Sequence, residues 1–151
     1  MHSPITVAIG CDEAAVTMKN ELKAHMEAQG YDVVDFGVPE GDTSPYPDVA
    51  YPLAVAVKEE KVNLGILCCG TGIGMAITAN KVKGIRAAQA HDTYSAERAR
   101  KSNDAQILTI GARVVGLELA KNIVDAFLKS DFDSARSGSK VDRISHYDGL
   151  R

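Results

Sequence analysis

No apolar run in this sequence approaches the roughly 20 residues needed to cross a bilayer, and Met1 to Gly10 carries no basic segment ahead of its apolar stretch. The expectation is a cytoplasmic protein with no membrane partner. Cysteine is scarce. Cys11, Cys68 and Cys69 form neither an even disulfide framework nor a Cys-x-x-Cys metal pair, which agrees with a reducing compartment. His2, His25, His91 and His146 are scattered, so no clustered ligand set predicts a metal. Positive charge is not in excess: 17 Lys and Arg against 20 Asp and Glu give a formal net charge of -3, which argues against nucleic acid. There are no internal repeats and no low-complexity tracts. Tryptophan is absent and aromatics are few, yet 45% hydrophobic and 25% charged residues is the balance of an ordinary globular domain. At 151 residues one domain can bury most of its apolar surface without disulfides or metal.

The stretch Leu64 to Met75 (LGILCCGTGIGM) organises the rest. Leu64 to Cys68 is a short apolar run without helical spacing. Gly70, Gly72 and Gly74 then punctuate the chain before helix-compatible residues resume at Met75. A strand, a glycine turn and a helix start follow one another. Alternating glycines let backbone N–H groups converge on one point, a nest suited to phosphate or an oxyanion. Cys69 stands at its mouth, where convergent donors favour thiolate, and is a candidate base or nucleophile. Buried core is the other reading of a strand-end cysteine. Alternation puts Cys68 and Cys69 on opposite faces, so only one of them looks into the turn. Cys68 is assigned to the core.

Elsewhere, strand and helix alternate five times. Ile5 to Ile9 reads as a strand, Ala14 to Gln29 as a helix, Tyr31 to Phe36 as a strand, Gly37 to Pro47 as a loop and Asp48 to Glu60 as a helix. After the central strand and turn come a strand over Gly84 to Gln89, a helix over Thr93 to Lys101, a strand over Gln106 to Ile110 and a helix over Leu117 to Lys129. Near-continuous apolar strands between amphipathic helices predict a five-stranded parallel sheet covered on both faces, doubly wound, in one domain. Ligands bind such sheets at the carboxyl ends of the strands, where Cys11-Asp12-Glu13, the Gly37 to Pro47 loop, Cys69 to Gly74, His91-Asp92 and Gly111-Ala112-Arg113 all fall. Ser130 to Arg151 is polar and of mixed charge, which reads as a solvated tail or as an arm reaching over a site.

The glycine turn is not a dinucleotide fingerprint, because a reading from Gly70 needs a small residue where Met75 stands. Nothing beside His91 and Asp92 suggests an oriented Cys-His triad. No cofactor is expected.

Gly10-Cys-Asp12, Asp32-Val-Val-Asp35, Tyr46-Pro-Asp48, Cys69-Gly-Thr-Gly-Ile-Gly-Met75, Ala79-Asn-Lys81, Gly84-Ile-Arg86, His91-Asp92, Tyr94-Ser95, Asn103-Asp104 and Gly111-Ala-Arg113 together resemble the type B ribose-5-phosphate and galactose-6-phosphate isomerase family over nearly the whole chain. The resemblance implies a Rossmann-like α/β/α fold. It also implies metal-free interconversion of an aldose phosphate and a ketose phosphate, with the active site between subunits of a homodimer or a dimer of dimers. By position, Cys69 matches the base that forms the enediolate, and Thr71 the residue that moves a proton between the two oxygens. The turn Gly70, Gly72, Ile73 and Gly74 matches the cradle of the oxyanion, and Asp12, Tyr46 and Asn103 match sugar contacts. Arg136 and Lys140 match the phosphate ligands, with Arg113 as a further candidate; lysine at 140 gives up a bidentate fork.

Two positions depart from the family pattern. Glu13 follows Asp12 where histidine is usual, and Ser102 precedes Asn103 where the family has its ring-opening histidine. A hydroxyl is a poor general acid near neutral pH. Ribose 5-phosphate is mostly a closed ring, whereas a tetrose or tetrulose 4-phosphate cannot close a five-membered ring and has no use for that acid. His91 to Arg98 with Lys101-Ser-Asn103 also resembles the branch that isomerises D-erythrulose 4-phosphate and D-erythrose 4-phosphate. The substrate expected is therefore that small phosphorylated sugar, with ribose 5-phosphate as the alternative and then another pentose or hexose phosphate. His91 is the one histidine on the expected site edge; it is read as a substrate-contact or packing residue, with a substitute ring-opening acid as the alternative. A sugar-phosphate-binding module without turnover is the alternative of a different class.

Overall fold

The central strands carry side chains that are apolar on both faces, and only a sheet covered on both sides hides such strands from water. In a computed structural model of the chain, which describes residues 5–37 and 45–151, all six residues of β3 (Leu64–Cys69) and all five of β5 (Ile107–Gly111) are buried. Around them run β1 (Thr6–Cys11), α1 (Val16–Ala28), β2 (Asp32–Asp35), α2 (Pro47–Lys58), α3 (Ile73–Ala79), β4 (Ala87–Gln89), α4 (Thr93–Lys101), α5 (Leu117–Leu128) and α6 (Ser134–Asp148). The five strands are parallel in the order β2-β1-β3-β5-β4.

Two cores result. Val7, Ile9, Ile66, Cys68, Leu108 and Ile110 pack with α1, α4 and α5, while Ala8, Leu67, Cys69 and Ile107 pack with α2 and α3. The order reverses between β1 and β3, where the chain leaves for opposite edges of the sheet. The carboxyl ends of these two strands are held together by the Asp12 N–H on the Cys68 carbonyl at 3.2 Å. That switch point is where open α/β sheets bind ligands. Because β5 is inserted between β3 and β4, α3 must cross over β5 on its way to the edge strand. Among the described residues no helix is long and apolar enough to cross a membrane.

Three expectations are corrected. The fourth strand does not begin at Gly84: Gly84 has a φ of +86 and Ile85 turns back on the Val82 carbonyl, so strand pairing starts at Ala87. The first helix opens as a 3-10 turn over Glu13–Ala15, capped by the Asp12 side chain on the Ala14 N–H at 3.0 Å, before α1 proper. Order also does not end at Lys129, since 134–148 is helical. Asp133 caps α6 through the Arg136 N–H at 3.2 Å, and Ser137 and Val141 are buried at helical spacing. Charge on the remaining faces masked that spacing in the sequence. Of the Gly37 to Pro47 loop, residues 38–44 lie outside the described residues.

The far end of α6 is fastened to the edge of the sheet. Asp148 accepts from the Gly84 N–H at 2.6 Å and from Arg151 Nε at 2.7 Å, and Arg151 Nη2 donates to the Asn80 carbonyl at 2.8 Å. The Gly84 amide, aided by Arg151, holds the Asp148 carboxyl below the usual aspartate range. A group depressed on folding contributes fully above its unfolded value of about 4 and loses that contribution as pH falls through its lower folded value. The expected outcome is that exchange protection of the Gly84 amide, measured by deuterium uptake, fades towards pH 3, and that Asp148→Asn lowers it already at pH 6. Equal protection at both pH values in both proteins would refute this fastening.

Candidate active site

At the switch point the turn after β3 opens a cleft of about 460 Å³ lined by Asp12, Tyr46, Cys69, Gly70, Thr71, Ile73, Gly74, Ile77 and Arg113. Strand alternation separates the paired cysteines as expected. Cys68 is fully buried against the α1 side, and burial pushes its thiol far up. Cys69 faces the α2 and α3 side, is 5% exposed and lines the cleft. The Gly72 N–H donates to Cys69 Sγ at 3.1 Å, placing a donor on the atom where negative charge would sit.

The turn has its carbonyls pulled back and its amides turned forward. The carbonyl of Cys69 accepts from the Ala112 N–H at 2.8 Å and that of Gly70 from the Arg113 N–H at 3.0 Å. Thr71 O accepts from Gln89 Nε2 at 2.7 Å, and Gly72 O from Thr109 Oγ1 at 2.8 Å. The N–H groups of Gly70, Thr71 and Gly74 donate to no acceptor among the described residues, which leaves them for an anion. Thr71 Oγ1 accepts from the Ile73 N–H at 3.3 Å; its own hydroxyl proton remains to be donated.

Two glycines are required by geometry. Gly72 has a φ of +78, with the β5 backbone at Ile110 only 3.0 Å from where a Cβ would lie. Gly74 lies under the Tyr46 ring, which a Cβ would meet at 2.0 Å. Tyr46 thereby walls the cleft from the α2 side, while Arg113, within 3.5 Å of a Cβ at Gly70, supplies a cation on the β5 side. Met75 is fully buried in the core beneath.

Other residues singled out in the sequence are not brought to this cleft within one chain. Glu13 is exposed at the start of the 3-10 turn. His91 Nε2 accepts from the Gly111 N–H at 3.0 Å, so that nitrogen carries no proton and the ring pins the end of β5. Ser102 ends α4, its Oγ accepting from Arg98 Nε at 2.9 Å and Nη2 at 2.6 Å. Asn103 lines a separate apolar groove of about 510 Å³ between the β4 edge and the end of α6. Arg136 and Lys140 are exposed on α6. Among the described residues no group of three or more His, Cys, Asp and Glu is placed to hold a metal. Gln89, Thr109 and the Arg98 to Ser102 contact carried no local signal, because each joins elements distant in sequence or depends on a rotamer.

Exposure and environment separate the thiols. Iodoacetamide under native conditions is expected to modify Cys69 alone, with Cys11 and Cys68, both fully buried, reacting only after denaturation. Peptide mapping checks this, and native labelling that persists in Cys69→Ser would contradict it.

The description Ribose/Galactose Isomerase belongs to the family whose sequence profile matches residues 7–144. D-erythrulose-4-phosphate isomerase of Pectobacterium atrosepticum is 53% identical over 95% of both chains. Ribose-5-P isomerase B of Listeria innocua is 51% identical over 94% of this chain and 96% of the relative. The structure of Clostridium thermocellum ribose-5-phosphate isomerase B superimposes with a TM-score of 0.94 at 41% identity, covering 97% of this chain and 99% of that one. With the same sheet, the glycine turn and near-complete coverage on both sides, this chain belongs to the ribose/galactose isomerase family.

Proposed function

We propose that the chain interconverts an aldose phosphate and a ketose phosphate through an enediolate, with Cys69 as the base. The observation that carries this is the Cys69 sulfur in the switch-point cleft, met by the Gly72 N–H at 3.1 Å and flanked by turn amides without acceptors among the described residues. Cys69 thiolate takes the proton from the carbon beside the carbonyl. The electron pair moves onto the carbonyl oxygen, giving an enediolate whose charge the amides of 70–74 receive. Thr71 transfers a proton between the two oxygens, and the Cys69 thiol returns its proton to the neighbouring carbon. No redox partner is needed, since one carbon is oxidised as the other is reduced. Asp12 and Tyr46 contact the sugar, and Arg113 the substrate's anionic end.

One chain leaves the site incomplete in this reading, and a second copy completes it as a homodimer. Asn103, Ser102, Arg136 and Lys140 then serve the partner's cleft. Support comes from their place outside their own cleft, and from Ile73 and Ile77, 52% and 57% exposed at the rim, an apolar edge that asks for a cover.

Relatives with two different substrates match almost equally well, so overall identity does not choose between erythrulose 4-phosphate and ribose 5-phosphate. Position 102 does. The two Arg98 N–H groups occupy the acceptor side of the Ser102 hydroxyl, which leaves its proton free to be donated. A residue that donates but does not protonate suits a substrate that is already open, which favours D-erythrulose 4-phosphate.

Cys69→Ser is expected to keep the fold and substrate binding while kcat falls by ~10²- to 10⁴-fold; turnover equal to wild type would remove Cys69 as the base. Binding without turnover of any tetrose, pentose or hexose phosphate by the unmodified protein would instead favour a sugar-phosphate-binding module.

For specificity, kcat/KM on erythrulose 4-phosphate should exceed that on ribose 5-phosphate. Ser102→His alone is expected to gain little on ribose 5-phosphate, because the Arg98 cation at bonding distance opposes an imidazolium. The Arg98→Met, Ser102→His pair should gain ~10²-fold, the ordinary worth of a placed general acid. A wild-type preference for ribose 5-phosphate would sink the tetrose reading.

A further inference from the structure

The donors that hold the glycine turn from behind are not neutral scaffolding. In a trans peptide the C=O of one residue and the N–H of the next point in opposite directions on one rigid plane, so a donor fixed on the carbonyl aims the amide on the other side. The peptide joining Thr71 to Gly72 has its carbonyl on Gln89 Nε2 at 2.7 Å and its N–H on Cys69 Sγ at 3.1 Å. The peptide joining Gly72 to Ile73 has its carbonyl on Thr109 Oγ1 at 2.8 Å and its N–H on Thr71 Oγ1 at 3.3 Å. The two neighbouring planes, at Cys69 and Gly70, are held in the same sense by the backbone amides of Ala112 and Arg113. The Gly72 carbonyl also accepts from the Ala76 N–H at 3.1 Å, so the plane that addresses Thr71 is held by α3 and the Thr109 side chain together, and the plane that addresses Cys69 by the Gln89 side chain.

We infer that Gln89 and Thr109 are positioning residues of the reaction: Gln89, through the Thr71–Gly72 peptide, aims the amide that holds the Cys69 sulfur, and Thr109, through the Gly72–Ile73 peptide, fixes the hydroxyl of Thr71. The inference rests on the isomerase reading above. Their surroundings fit the assignment. Thr109 is fully buried at a position in β5 that otherwise takes apolar side chains, and its hydroxyl has this carbonyl as its partner. Gln89 is exposed at the end of the edge strand β4, where its side chain reaches back across β5 to the turn. Neither touches the reacting atoms, and each acts on a different one of the two groups that move protons.

The roles separate in experiment. Steady-state kinetics are measured on the full chain with whichever sugar phosphate the wild type turns over fastest, alongside iodoacetamide modification of Cys69. Gln89→Met keeps the side chain's length and removes its donor. It should lower kcat about 10-fold with KM within about twofold, since only a transition-state interaction is loosened, and slow Cys69 alkylation several-fold with no change in melting temperature. Thr109→Val should lower kcat similarly but leave the alkylation rate at the wild-type value, and Thr109→Ser, which restores the hydroxyl, should recover most of the loss. Wild-type kcat and alkylation in Gln89→Met overturns the role of Gln89 whatever the stability of the buried variant. Thr109→Ser as impaired as Thr109→Val, or either loss appearing in KM alone, overturns the role of Thr109. A wild type that isomerises no sugar phosphate overturns the isomerase reading, and this inference with it.

Discussion

Everything at this site depends on the planarity of four consecutive peptide units after β3. A thiol at a strand end is ordinarily a core group. What distinguishes Cys69 from Cys68, one residue away, is that the backbone beyond it has every carbonyl tied to β4, β5 or the loop that follows β5. The amide edges have no direction left except into the cleft. Preorganisation of this kind places donors before charge develops, so no dipoles would need to reorient as the proposed enediolate forms.

The strand order makes such tying possible. Had β4 followed β3 directly in the sheet, α3 would have covered its own neighbour, and the turn would have rested on the short β4. With β5 between them, the turn sits on the buried end of β5, where Ile110 backs Gly72 and Thr109 lies beneath it. The three-residue β4 still contributes, through Gln89 to the turn and through His91 beyond it to Gly111. A histidine in that post has its Nε2 engaged as the acceptor of the Gly111 amide, which the sheet needs satisfied.

What the sequence made legible was local. Period-two alternation separated Cys68 from Cys69, the glycine spacing located the turn, and the five alternations of strand and helix fixed the class. Asp12, Tyr46, Gly70, Thr71, Ile73, Gly74 and Arg113 do meet at one cleft with Cys69. What stayed hidden was long-range or dihedral. The insertion of β5, the hold of Gln89 and Thr109, and the fork of Arg98 on Ser102 leave no periodic trace. Nor did the strand pattern register that Gly84 adopts a positive φ, which cost the fourth strand half its expected length. The helix α6 was obscured for a different reason: only Ser137 and Val141 are buried along it, too few apolar positions for a period to emerge from a polar segment.

That sparse burial bears on how a phosphate is held. Within one chain the cleft has a single guanidinium, Arg113, among its lining residues, and a phosphate dianion withdrawn from water needs more compensation than one partly solvated cation supplies. The chain does carry more cations, Arg136 and Lys140, but on exposed turns of α6, a helix tied to the fold by the Asp133 N–H on the Lys101 carbonyl at one end and by Asp148 and Arg151 at the other. Two deficits therefore face each other: a cleft short of positive charge with exposed isoleucines on its rim, and a helix with spare positive charge and little burial of its own. Pairing two copies so that the helix of one serves the cleft of the other removes both at once, which is the physical argument for reading the site as shared between subunits rather than completed by motion within one.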